Sequence, residues 1–90
     1  MRCERFLISG MVQGVGFRFW AVRQAGRLGL DGYVRNLPDG RVELVASGPK
    51  SAVDQMADLC RNGPGSGRVD GVQRLPCGDR RIGGGFTVRR

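Results

Sequence analysis

The sequence predicts an α+β fold, with two helices laid on one face of an antiparallel sheet, from three observations. Apolar residues alternate in short runs, recur at helical spacing in two longer ones, and the runs follow the order strand–helix–strand–strand–helix–strand. That order is the split βαβ plan. Ninety residues are enough for one modest core, and no linker or repeat divides them, so residues 1–90 are expected to form a single domain.

Residues 3–9 read as the first strand, with Phe6 and Ile8 inward and Cys3, Arg5 and Leu7 on the opposite face. Phe17, Trp20, Ala21, Ala25 and Leu28 then recur at helical spacing, and Gly29 is placed to end that helix. Residues 32–36 form a second strand. Leu37-Pro38-Asp39-Gly40 carries proline and glycine where a tight turn wants them. Val42, Leu44 and Ala46 alternate with Arg41, Glu43 and Val45, which makes a third strand in a hairpin with the second. Ser47-Gly48-Pro49 is expected to open the second helix, which buries Val53, Met56, Ala57 and Cys60 and stops at Asn62-Gly63-Pro64. A fourth strand is expected from Val69 to Leu75. After a loop from Gly78 to Gly85, a short fifth strand runs from Phe86 to Val88.

Composition excludes much chemistry. With no histidine, neither a Ser-His-Asp nor a Cys-His mechanism is available, and no histidine metal site can form. Of the 15 basic residues 14 are arginine, which binds charge but does not act as a general base. Enzymatic function here would rest on positioning and electrostatics. The net charge of +7 favours anionic partners such as phosphate esters, acidic metabolites or nucleic acid. Cys3, Cys60 and Cys77 cannot all pair and show no C-x-x-C spacing, so neither a disulfide framework nor a zinc site is expected. Strands one and four would bring Cys3 near Cys77, but a bridge is not expected in the reducing cytoplasm. No signal-peptide pattern and no membrane-length apolar run is visible, so a soluble, cytoplasmic protein is expected.

The most informative stretch is Ile8-Ser9-Gly10-Met11-Val12-Gln13-Gly14-Val15-Gly16-Phe17-Arg18. A strand runs into closely spaced glycines and then into a helix whose first turn holds an arginine. Glycines let consecutive backbone N–H groups converge on one point, and the start of a helix adds a positive dipole end. Arg18 contributes a permanent charge and a planar donor fork matched to phosphate oxygens. An arginine in a first turn opposes the helix dipole, a conflict that a bound anion resolves. Gln13, Gly14, Val15, Gly16, Phe17 and Arg18 are therefore a candidate phosphate cradle. The loop lacks the Gly-Lys-Ser/Thr of a Walker A loop and the spacing of a dinucleotide fingerprint. The second stretch is Gly32-Tyr33-Val34-Arg35-Asn36, followed by Gly40, Val42 and Gly48. Asn36 stands where a strand meets its turn, and a carboxamide both donates and accepts, which suits it to orient a water. Asparagine is also common at strand ends for purely local reasons.

Taken together, Gly10-x-Val12-Gln13-Gly14-Val15-x-Phe17-Arg18 and Gly32-Tyr33-Val34-Arg35-Asn36-x-x-x-Gly40-x-Val42 closely resemble the two signature segments of the acylphosphatase family. Arg27-Leu28-Gly29-Leu30, Arg68-Val69-Asp70-Gly71-Val72 and Phe86-Thr87-Val88 extend the likeness over nearly the whole chain. The resemblance implies a ferredoxin-like α/β sandwich that hydrolyses the carboxyl–phosphate bond of acyl phosphates, without metal or cofactor. It further implies that Arg18 and the loop N–H groups bind the phosphoryl group, while Asn36 orients the attacking water. A small acyl phosphate, phosphate and other small anions are the expected ligands, and the expected state is a monomer. No nearby residue suggests itself as a base, so activity should be nearly flat across neutral pH. A steep rise would instead implicate Asp39 or Glu43.

Two alternatives belong to other classes. The same plan with a basic surface serves RNA-binding modules, yet these place base-stacking aromatics on the third strand, and residues 41–46 have none. No nucleic-acid partner is therefore expected. A phosphate-binding domain without turnover is the second alternative; the presence of both Arg18 and Asn36 argues against it.

Overall fold

The computed structural model describes residues 1–77 and 83–89. Its elements are β1 (Arg2–Met11), α1 (Phe17–Leu28), β2 (Asp31–Asn36), β3 (Val42–Gly48), α2 (Lys50–Asn62), β4 (Arg68–Pro76) and β5 (Phe86–Val88). The strands form one sheet in the order β4-β1-β3-β2-β5. The first four pair antiparallel, and β5 joins β2 in parallel, so the sheet is mixed at one edge. The expected sandwich is the fold observed. Part of the expected loop from Gly78 to Gly85 lies outside the described residues.

One core occupies the space between helices and sheet. Phe6, Ile8, Val34, Val42 and Leu44 meet Phe17, Ala21 and Ala25 of α1, and Val53, Met56, Ala57 and Cys60 of α2. Alanines at the buried positions of α1 bring that helix close to the sheet, while α2 fills its share with larger side chains. Gly29 ends α1 in the left-handed conformation, with φ 69°. Among the described residues, no helix is long and apolar enough to cross a membrane.

Two boundaries differ from expectation. β1 runs on to Met11 through a bulge between Ser9 and Gly10, so the strand bends as it delivers the chain to the glycine loop. Ser47 and Gly48 belong to β3, not to the start of α2. They pair with Asp31 and Arg2, and Leu30 packs so closely that a Cβ on Gly48 would stand 2.7 Å from its Cδ2. Tertiary pairing here overrides the local helix-start signal.

The helix-free face of the sheet is also largely closed to water. Leu7, Tyr33, Glu43 and Val45 are buried there, and long arginine side chains lie among them. Cys3 and Cys77 are opposite each other at the β1–β4 edge, where the Cys77 N–H donates to the Cys3 carbonyl at 3.2 Å. On the helix side, Arg74 of β4 ties Glu4 of β1 (2.7 and 2.9 Å) to Asp54 of α2 (2.7 Å).

Candidate active site

The bulged end of β1 feeds a loop, residues 12–16, that turns into α1. Gly14 (φ 75°) and Gly16 (φ 79°) are both in the left-handed region. Among the described residues a Cβ at either would touch nothing within 4 Å, so the glycines are required by dihedral angle and not by crowding. Gly16 is the N-cap of α1. It offers no side-chain cap, and no acidic residue stands in the first turn. The Trp20 N–H reaches the Gly16 carbonyl at 3.0 Å. Among the described residues, no backbone N–H from Gly14 to Phe19 donates to a protein acceptor. A helix start normally satisfies some of these donors with a cap. Here they are left open at the positive end of the helix dipole, and Arg18, half-buried, stands in the same turn.

Two side chains hold the loop in place. The Gln13 amide Nε2 donates to the carbonyls of Leu37 (2.8 Å) and Arg41 (2.9 Å), which fastens the loop to the turn between β2 and β3. The Ser66 hydroxyl donates to the Val15 carbonyl at 2.7 Å from the segment that follows α2. Gln13 thus acts through its side chain, a role its place in the glycine run does not reveal. Ser66 lies 51 residues from its partner, and no local signal in the sequence points to it. Phe17 is buried in the core beside Trp20, at 5.3 Å between ring centroids, so only its backbone belongs to the loop surface.

Asn36 is the last residue of β2 and stands two residues beyond the core residue Val34, on the same helix-facing side. Its Oδ1 is buried and, among the described residues, has no hydrogen-bond partner. Buried carboxamide oxygens are rarely left so. The next residue, Leu37, is the one whose carbonyl Gln13 holds, so the staple brings the two motif segments together.

Glu43 and Asp39, the two carboxylates that a steep pH dependence would implicate, are both engaged by arginines. Glu43 accepts from Arg5 Nε at 2.5 Å and Arg35 Nε at 2.6 Å on the helix-free face. Burial pushes its carboxyl up, but the hydrogen bonds from Arg35 and Arg5 outweigh this and hold it below its ordinary value. Asp39 is bonded to the Arg41 side chain and backbone, which lower its carboxyl as well. Arg35 is half-buried and shares Glu43 with Arg5. Tyr33 packs on the helix-free face, away from the loop. Among the described residues, no three His, Cys, Asp or Glu side chains form a metal-binding group.

Open backbone donors and an arginine at the start of α1, groups of the kind that suit an anion, stand on a segment that Gln13 joins to the one carrying the buried Asn36 Oδ1. Known proteins sharpen this class. The acylphosphatase family model matches residues 4–88, and the chain belongs to that family. An acylphosphatase of Nitrobacter hamburgensis is 54% identical over 81% of this chain and 74% of its own length. One from Alkalilimnicola ehrlichii is 51% identical over 86% of each. Among solved structures, the acylphosphatase from Bacillus subtilis superposes with a TM-score of 0.95 at 31% identity, covering all of both chains. The protein is an acid-anhydride hydrolase of this family, and an acyl phosphate is its class of substrate.

Proposed function

We propose that the protein acts as a single domain in which Arg18 and the backbone N–H groups of residues 13–18 hold the phosphoryl group of an acyl phosphate, and Asn36 orients the attacking water. The observation that carries this reading is the coincidence of open N–H donors from Gly14 to Phe19 with the buried, unpartnered Asn36 Oδ1, on segments joined by Gln13.

In phosphoryl transfer, charge spreads over three equatorial oxygens while the entering and leaving oxygens lie in line. Donors fixed in advance around the equatorial oxygens stabilise that charge without reorganising. The water oxygen, its hydrogen accepted by Asn36 Oδ1, forms the new P–O bond as the bond to the carboxylate oxygen breaks. The carboxylate leaves with that electron pair and needs no acid. The proton of the water passes to a phosphoryl oxygen of the substrate itself, and the products are carboxylate and inorganic phosphate. Such a path uses no protein base. Asp39 and Glu43 both titrate below their ordinary values, which supports activity that is flat between about pH 5 and pH 8.

The RNA-binding alternative finds little support on the helix-free face. Tyr33, its one aromatic residue among those described, is 6% exposed and lies beneath the Arg89 guanidinium, 4.0 Å from the ring centroid. The test is hydrolysis of benzoyl phosphate followed by ultraviolet absorbance. Wild-type turnover with a loss of about a hundredfold or more in kcat for Asn36→Ala, at little change in KM, is the expected result. An Asn36→Ala variant of wild-type rate would remove Asn36 from the mechanism.

A further inference from the structure

The helix-free face carries a second arrangement of arginines that hydrolysis at the loop does not use. A pocket of about 310 Å³ opens there, lined by Arg5, Tyr33, Arg35, Glu43, Val45 and Pro76 together with Cys77. Glu43 is 2% exposed, although no helix covers it. A buried carboxylate needs partners, and it has two, the Nε groups of Arg5 and Arg35. Each arginine gives Glu43 only that one donor. Among the described residues, their Nη groups have no hydrogen-bonded acceptor, and the two side chains remain 39% and 41% exposed.

Glu43 therefore works as an anchor. It fixes two guanidinium groups, from the strands on either side of its own, in the lining of the pocket, so little side-chain freedom is left for a ligand to freeze. The third cation, Arg89, lies over Tyr33 with no carboxylate partner among the described residues. Three positive charges against one negative leave an excess that a dianion neutralises. Val45, Pro76 and the Tyr33 ring supply an apolar wall beside it. A phosphate monoester carries close to two negative charges at neutral pH and oxygens matched to guanidinium forks. A volume near 300 Å³ limits the remainder of the molecule to a small group.

We propose that this face is a second, non-catalytic binding site for a small phosphate monoester, held by the Nη edges of Arg5 and Arg35 with Arg89 at its rim. The site is separate from the loop that takes the acyl phosphate and does not depend on the roles given to Arg18 and Asn36.

The experiment is an NMR titration of ¹⁵N-labelled wild-type and Arg18→Ala protein with phenyl phosphate and, in parallel, inorganic phosphate. Phenyl phosphate should shift the Arg5 and Arg35 Nε–H signals and the Tyr33 and Val45 amides, with saturation, in both proteins. Arg5→Gln should weaken this set of shifts about tenfold while leaving benzoyl phosphate hydrolysis unchanged. Should Arg5→Gln fail to fold, exposed Arg89→Ala serves instead, with an expected weakening of about threefold. Shifts confined to Gly14–Phe19 and lost in Arg18→Ala would overturn the proposal. So would unsaturating shifts of equal size at surface residues such as Arg23 and Arg27. Equal affinity for inorganic phosphate and phenyl phosphate would overturn the assignment to an ester.

Discussion

Two connections in this chain are short, glycine-containing and within reach of each other, yet they treat their backbone donors in opposite ways. The turn between β2 and β3 closes on itself. The Leu37 N–H reaches the Arg41 carbonyl at 2.8 Å, the Gly40 N–H reaches the Leu37 carbonyl at 3.2 Å, and Asp39 takes the Arg41 N–H at 3.0 Å. The loop between β1 and α1 leaves its N–H groups from Gly14 to Phe19 open and is held from outside, by Gln13 and Ser66. Glycine content does not separate the two. What separates them is whether the local hydrogen-bonding capacity is spent within the loop or turned outward, and the outward-facing loop is the one followed by Arg18. A loop that cannot satisfy itself is unstable alone, which is why the self-contained turn lends it two carbonyls through Gln13.

The contrast sets an order of effects. Arg18→Ala removes the only side-chain charge of the open loop and should lower kcat/KM on benzoyl phosphate by about a thousandfold, with the melting temperature nearly unchanged. Gln13→Leu cuts the link between the two connections and leaves the Leu37 and Arg41 carbonyls only their hydrogen bonds within the turn. It should reduce kcat by about tenfold to a hundredfold and stability by roughly 1–3 kcal/mol, read by steady-state kinetics and urea denaturation. Gly16→Ala meets no atom but forces a side chain to φ 79°, which should cost about 1–2 kcal/mol and misdirect the donors. Unchanged stability and rate in that variant would show that the left-handed turn is not required.

The smallest effect belongs to the closed turn. The Arg41 side chain and backbone hold the Asp39 carboxyl below its ordinary value of 3.8. A lowered folded pKa means that the stabilisation is complete above the unfolded value and is lost as pH falls through the folded one. Acidification through that lowered value should therefore reduce the protection of the Arg41 amide relative to its intrinsic exchange rate, while the protection of Gly14 and Gly16, in a loop with no carboxylate, stays as it was. Asp39→Ala should reproduce the change at Arg41 at neutral pH without affecting hydrolysis.

The alternation of Phe6 and Ile8, the helical spacing of Phe17, Ala21 and Ala25, and the Pro38-Asp39-Gly40 turn made the sandwich legible, because burial repeats at the period of each element. Arg18 and Asn36 stood out because an arginine at a helix start and an asparagine at a strand end are chemically conspicuous. The Gln13 side chain, Ser66 and the Arg5–Glu43–Arg35 cluster did not, since each joins residues far apart in sequence through contacts that only strand order and register create. The end of β3 was misplaced for a related reason. Ser47-Gly48-Pro49 carries a local helix-start signal, but sheet pairing with β1 and β2 takes Ser47 and Gly48 first.

The central claim, that the open donors from Gly14 to Phe19 hold the phosphoryl group, is tested most directly by following the amide proton shifts of those residues as inorganic phosphate is added to the wild-type protein. Downfield shifts at Gly14–Phe19 that saturate at the concentration where phosphate inhibits hydrolysis are the predicted result. Inhibition by phosphate with those amides unmoved would contradict it.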